Sequence, residues 1–333
     1  MTPALEVARL SKTFAIRRGP LGLLGRRVVR AVEDVSFAVG ASRTLALVGE
    51  SGCGKTTIGR MVVRLTVPSA GSIAVEGEDF TRLSGEALRR KRQRVQMVFQ
   101  DPFACLNARM TAEAIVAEPL VNFRLGDAAA RRRRVRQLLD QVGLPQTFLE
   151  RLPHHMSGGQ RQRLGIARAL AAEPAVIVAD EAVAALDVSI RSQILNLLKD
   201  LQRETGVAYL FISHDLSVVR YLADDVAVMY LGRIVEKGPV RSVFATPAHP
   251  YTQALIGAIP APHPRERRRR ALLHGEVPSA AALPVGCPFR TRCPLATDIC
   301  FREPPALVTV RHGHAAACHH VHANETTTGG TTT

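Results

Sequence analysis

The sequence predicts an α/β fold with a largely parallel sheet, followed by a small Cys-rich extension. Three observations lead there. Residues Gly49 to Thr56 read G-x-x-x-x-G-K-T between an apolar run, Thr44 to Val48, and a helical pattern, Thr57 to Leu65. Short apolar runs then alternate with helix-period segments over most of the chain, which is the signature of βαβ units. Finally, a Pro-rich stretch, 247–264, and an Arg run, 265–270, precede four clustered cysteines.

The glycine-rich loop is a phosphate cradle. Its glycines let successive backbone N–H groups point at one anion, and the helix that follows adds the positive end of its dipole. Lys55 is placed to reach the β- and γ-phosphates, and Thr56 to put its hydroxyl on Mg²⁺.

Taken in order, Leu5 to Phe14 reads as a first strand, and Arg17 to Arg30 as a Gly- and Arg-rich loop or insert. Ala31 to Val39 is a second strand. Gly71 to Val75 with the Glu76-Gly77-Glu78 turn reads as a hairpin, Ala87 to Arg94 as a basic helix, and Val95 to Phe99 as a buried strand. Met110 to Ala172 is helical, with breaks near Pro145 and Pro153. Val176 to Ala179 is a short strand ending in acid, Val188 to Glu204 a helix, and Ala208 to Ile212, Val226 to Tyr230 and Arg233 to Glu236 further strands. Thr326 to Thr333 is low-complexity and is expected to be disordered.

With 333 residues and 46% apolar composition the chain can bury a sizeable core. No uncharged apolar run is long enough to span a bilayer, and Glu6, Arg9 and Lys12 argue against a secretory signal. A cytoplasmic protein follows, with any membrane spans supplied by other chains. The net charge of +15 is concentrated at Arg89 to Arg94, Arg131 to Arg136 and Arg265 to Arg270. Such runs can meet nucleic acid or an anionic membrane. Without interleaved aromatic residues, and with no Trp in the chain, they read better as solvated helix faces and linker.

Two further motifs carry chemistry. The strand Val176 to Ala179 ends in Asp180-Glu181, where the first acid supports Mg²⁺ and the second accepts a proton from an attacking water. Ser157-Gly158-Gly159-Gln160 opens a helix with an N-cap serine and exposed backbone N–H groups, making a second anion site.

These residues make the chain resemble the ABC-type ATPases, the nucleotide-binding subunits of transporters. The resemblance covers about residues 4–322 and implies a P-loop NTPase core with an antiparallel β subdomain and an inserted helical subdomain at about 101–170. It implies an ATPase domain over 1–255, an oligopeptide-type extension over 256–322 and a disordered tail over 323–333. It casts Phe14 as the aromatic residue stacked on adenine, and Gly49, Ser51, Gly52, Cys53, Gly54, Lys55, Thr56 and Thr57 as the nucleotide loop. Gln100 is the Q-loop glutamine, Ser157 to Gln160 the signature, Ala185-Leu186-Asp187 the D-loop and His214 the switch histidine. Glu181, His214 and Gln100 would be catalytic; Thr56, Gln100 and Asp180 would hold Mg²⁺.

The match narrows to importers of oligopeptides and dipeptides through Ile16 to Gly19 with Gly22 to Leu24, Phe99 to Phe103 with Leu106-Asn107, His249 to Leu255, and the tail motifs at Gly275 to Ser279, Gly286 to Phe289 and Arg292 to Pro294. Among the paired subunits of that group the chain looks more like the OppF or DppF type than the OppD or DppD type. Departures from the family pattern are Met156 at the signature, Ala182 for a common proline, Ala184 for the usual D-loop serine and Ala108 for a proline near the Q-loop.

The resemblance implies a head-to-tail sandwich with a second ATPase subunit, closed by ATP and opened by hydrolysis, in which each signature covers the partner's γ-phosphate. It also implies two permease subunits, an indirect link to a solute-binding protein, no nucleic acid, and a peripheral place on the cytoplasmic face of the membrane. A non-transport ATPase acting on nucleic acid or ribosomes is the alternative, as is the same machine with nickel or another solute. Cys287, Cys293, Cys300 and Cys318 follow the spacing C-x5-C-x6-C-x17-C, without zinc-ribbon knuckles. Four thiolates suit an iron–sulfur centre, and the resemblance implies a 4Fe–4S cluster. Zinc, with His312, His314, His319 or His320 substituting, and unliganded thiols stay open.

Overall fold

In the computed structural model, which describes residues 2–17, 26–101, 105–259, 278 and 284–321, the alternating pattern becomes two sheets. The chain runs β1 (Leu5–Arg17), β2 (Arg26–Val39), β3 (Thr44–Val48), α1 (Lys55–Val62), β4 (Ala70–Val75), β5 (Glu78–Asp79), α2 (Gly85–Arg92) and β6 (Val95–Val98). The helical segment follows with α3 (Ala112–Asn122), α4 (Ala128–Gln141) and α5 (Gly158–Ala171). Then come β7 (Val176–Asp180), α6 (Val188–Thr205), β8 (Ala208–Ser213), α7 (Leu216–Leu222), β9 (Asp225–Tyr230), β10 (Arg233–Pro239), α8 (Val240–Ala245) and α9 (Pro250–Gly257). The extension supplies α10 (Asp298–Arg302), β11 (Val308–Arg311) and β12 (His314–Ala316).

The larger sheet has the order β11-β12-β10-β9-β3-β8-β7-β6. Its centre, β9, β3, β8, β7 and β6, is parallel, while β10 and β12 are antiparallel additions. A parallel sheet must be covered on both faces, which is why these strands read as continuous apolar runs. The alternation survives in three dimensions. Val176 and Val178 of β7 join one core with Leu210 and Ile212 of β8, whereas Ile177 and Ala179 join the opposite core with Tyr209 and Phe211. In β3, Leu45 and Leu47 enter the first of these cores; Ala46 and Val48 face a third, shared with Tyr230 and Tyr251.

The smaller sheet, β2-β1-β4-β5, is antiparallel. Its first two strands are longer than the sequence reading: β2 begins at Arg26 inside the segment expected to be a loop, because Ala15 to Arg17 pair with Arg26 to Val28. The rest of that insert, 18–25, lies outside the described residues, as do 102–104, the 265–270 Arg run and the low-complexity tail. Helices α3 and α4 pack on α5 as an inserted helical layer, each with a side-chain cap: Thr111 accepts from the Ala114 N–H and Asp127 from the Ala130 N–H.

The Cys-rich extension adds strands to the main sheet. β12 pairs with β10 through Glu236–Ala316 and Lys237–Ala315. Cys287, Phe289 and Cys300 fill the core behind Tyr230 and Tyr251. The basic runs within the described residues are partly paired with acids, as at Arg89–Glu86, Lys91–Glu78, Arg94–Glu76 and Arg134–Glu173. No helix of the described residues is long and apolar enough to cross a membrane.

Candidate functional site

The phosphate loop joins β3 to α1 at the carboxyl end of the parallel strands, where α/β sheets place their ligands. Gly49 and Gly54 have φ of 150° and 106°, and a side chain at either would strike a backbone carbonyl, Met229 or Ala31. Only glycine fits there. Lys55 is buried and donates to the Gly49 and Glu50 carbonyls at 2.7 and 2.9 Å, so its ammonium is held across the loop. Cys53 is buried beneath it, and burial raises its thiol pKa.

Thr56 Oγ1 donates to Asp180 Oδ1 at 3.1 Å. A hydroxyl and a carboxylate of this kind are the hard oxygen donors that suit Mg²⁺. Burial pushes the Asp180 pKa up, with neighbouring Glu181 acting in the same direction. A divalent cation at this position would supply the opposing charge. Next in sequence, Glu181 takes a positive φ of 47°, a conformation that costs a non-glycine residue roughly 1–3 kcal/mol. Its N–H donates to the Ile212 carbonyl at 2.9 Å, which fixes the turn against β8. The side chain is thereby aimed between two partners: Gln100 Nε2 donates to Glu181 Oε2 at 2.9 Å, and His214 Nδ1 lies 3.2 Å from Oε1. Glutamine, glutamate and histidine come from the ends of β6, β7 and β8, so three parallel strands deliver one cluster.

Ser157 caps α5 in a full capping box: Gln160 N–H donates to Ser157 Oγ, and the Ser157 N–H donates to Gln160 Oε1. These bonds are internal to the turn, and among the described residues none reaches the phosphate loop. Phe14 lies on the β1–β2 hairpin, 39% exposed, with Lys12 Nζ 5.1 Å from its ring centroid. An exposed aromatic face of this kind is available for stacking.

The metal centre expected at Cys287, Cys293, Cys300 and Cys318 finds no support in the arrangement of these side chains. All four are free, and among the described residues no group of three or more His, Cys, Asp or Glu is arranged to hold an ion. Burial raises the thiol pKa of Cys287, to about 11, and raises those of Cys293 and Cys318.

Two contacts were missed in the sequence. Arg191 on α6 pairs with Asp215 at 3.1 Å and donates to the Leu186 carbonyl, tying the segment after Asp180-Glu181 to the turn that carries His214. Arg292 in the extension pairs with Glu50 of the phosphate loop. Neither has a local spacing signal, because each is made by packing of distant segments.

The model of the ABC transporter family matches residues 32–184, a span that includes the phosphate loop, Gln100, the capped signature turn and Asp180-Glu181. A relative in Sinorhizobium fredii, "Probable peptide ABC transporter ATP-binding protein y4tS", is 54% identical across 95% of this chain and 89% of its own length. This chain belongs to the ABC transporter family. Within this ABC ATPase a second family model, "Oligopeptide/dipeptide transporter, C-terminal region", matches residues 235–300. "Oligopeptide transport ATP-binding protein AppF" of Bacillus subtilis is 48% identical over 95% of this chain and 96% of its own. "Dipeptide transport ATP-binding protein DppF" of Haemophilus influenzae is 45% identical over 96% and 97%. Among solved structures, the dimeric ATP-binding cassette MJ0796 bound to ADP and Pi superposes with a TM-score of 0.63 at 28% identity, covering 71% of this ABC ATPase and 99% of that chain.

Proposed function

We propose that the chain is the ATP-hydrolysing subunit that powers peptide import through an ABC transporter. The observation that carries the chemistry is the placement of Glu181 between Gln100 and His214, beside Thr56 and Asp180. The names of its relatives support a peptide as the solute. Glu181 is the general base that takes a proton from the attacking water; Gln100 and His214 hold its carboxylate in position. Lys55 and the loop N–H groups bind the phosphates. Thr56 and Asp180 would hold Mg²⁺, which neutralises phosphate charge when bound.

Ser157 to Gln160 serve the site of a second ATPase subunit rather than their own, so the working unit is a heterodimer closed by ATP. Two permeases receive its motion, a solute-binding protein delivers the peptide, and the assembly sits at the cytoplasmic face of the membrane. Four thiols on one small lobe also have the donor chemistry of a 4Fe–4S centre. Anaerobic purification with iron and sulfide analysis tests that centre, and colourless protein with stoichiometric zinc rejects it. The transport reading is tested in vesicles holding both permeases and both ATPases. Peptide uptake should require ATP, the loaded binding protein and Glu181. Hydrolysis stimulated by nucleic acid or ribosomes, and not by loaded binding protein, would reject it.

A further inference from the structure

Glu50 is the second residue of the phosphate loop, and every polar group it has is tied. Its carbonyl accepts from Lys55 Nζ at 2.9 Å. Its N–H donates to the Tyr251 hydroxyl of α9 at 2.9 Å. Its carboxylate receives two parallel bonds from Arg292, Nη1 to Oε2 at 2.7 Å and Nη2 to Oε1 at 3.0 Å. Arg292 is separated from Glu50 by 242 residues and belongs to the Cys-bearing extension.

The geometry is rigid on the arginine side. Arg292 has a side chain only 5% exposed, and its N–H donates to the Phe289 carbonyl at 3.0 Å. Phe289 is buried and packs edge-on to Tyr230 at 5.3 Å and against Tyr251 at 5.5 Å. The Arg292 guanidinium itself lies 5.8 Å from the Tyr230 ring centroid. One packed unit of extension and α9 therefore presents both a guanidinium and a hydroxyl to one loop residue. A bidentate fork of this kind fixes direction as well as charge.

The electrostatic consequence is specific. A loop that binds a polyphosphate carries a carboxylate at its second position, and an unpaired carboxylate there would repel the ligand. We infer that Arg292 is a positioning residue for the nucleotide site: it neutralises Glu50 and fixes the phosphate loop in its anion-binding shape, so that the C-terminal extension is a working part of the ATP site. The inference rests on the nucleotide-site reading above and is independent of which solute is carried.

The test uses the full chain and measures MgATP and MgADP binding by calorimetry, with thermal melting alongside. Arg292→Ala should weaken both nucleotides about tenfold, a difference of about 1.4 kcal/mol. Adding Glu50→Gln to Arg292→Ala should recover most of that loss, because the repelling carboxylate is gone. Arg292→Lys, which keeps the charge and loses the fork, should fall between wild type and Arg292→Ala. A merely structural arginine would give additive losses and no recovery. Wild-type affinity in a folded Arg292→Ala chain, or a double variant as weak as Arg292→Ala alone, overturns the inference. If Arg292→Ala does not fold, Arg292→Lys decides: its weaker binding should again be relieved by Glu50→Gln, and unrelieved weakening or wild-type affinity overturns the inference. Failure of peptide uptake with this binding pattern intact would instead count against the transport reading.

Discussion

Replacing Glu181 with glutamine separates basicity from shape. The side chain keeps its length, its remaining carbonyl oxygen can still accept from Gln100 Nε2, and its new amide can face His214 Nδ1. The strained backbone at φ 47° is untouched, because the Glu181 N–H still reaches the Ile212 carbonyl. What is lost is the carboxylate that takes the proton. Loss of a general base lowers turnover by roughly 10²–10⁴, or about 2.7–5.4 kcal/mol of barrier. The contact with His214 is half in solvent, with the histidine side chain 59% exposed, so its removal should cost stability under about 1 kcal/mol. Glu181→Gln should therefore bind MgATP as wild type does, melt within a few degrees of it, and hold the closed dimer without turning over. The assay is phosphate release at saturating ATP by the assembled transporter, with the partner ATPase carrying the same change at its own base. Hydrolysis at the wild-type rate in that double background would refute the assignment of Glu181.

Three other outcomes follow from the same geometry. Lys55→Ala removes the ammonium that spans the loop carbonyls and should weaken MgATP binding roughly ten- to a hundredfold, measured by equilibrium binding on the isolated chain. Ala184→Ser restores a hydroxyl at the half-buried position expected to face the partner; one neutral hydrogen bond is worth roughly 0.5–1.5 kcal/mol, so ATPase rate or cooperativity should change by about tenfold at most, and total loss would show that the position is misread. His249 is buried and held neutral, its pKa pushed down to about 4 by desolvation, against the opposing pull of Glu236. The unfolded chain protonates near pH 6.5 and the folded chain does not, so stability present above about pH 6.5 should fall as pH drops toward 4, by roughly 3 kcal/mol. Melting of His249→Gln across that window should be flatter; an equally steep loss would place the titration elsewhere.

The elements whose chemistry is local were legible. The phosphate loop, the Asp180-Glu181 strand end and the Ser157 cap each occupy a few consecutive residues, and the ligand's own shape dictates their spacing. The resemblance implied one site for Gln100, Glu181 and His214, and the parallel strands that precede them end on one side of the sheet. The ends of elements were less so. β2 starts five residues before the expected Ala31, since strand pairing with β1 overrides the local Arg-rich composition. The cysteine spacing read as a ligand set; Cys287 and Cys300 also help fill a hydrophobic core with Phe289, where burial raises the Cys287 thiol pKa.

What the sequence withheld is how the tail joins the sheet. Nothing in His314 to Ala316 announces a strand partner for Glu236 and Lys237, and a composition shift from Pro-rich to Cys-rich looks like a boundary. The deciding residue is Glu236, fully buried in β10. It accepts from the Ala248 and His249 N–H groups and meets His314 Nε2 at 2.7 Å. A buried carboxylate without these partners would be costly. Satisfying it requires the α9 entry on one side and β12 on the other, so the same charge that locks β12 onto the sheet also sets His249 at the start of α9. Two residues on, Tyr251 then reaches the Glu50 N–H. The extension and the phosphate loop are thus coupled through one buried acid in the sheet and one half-buried acid in the loop, and a change that removes either partner set should be read out at the nucleotide.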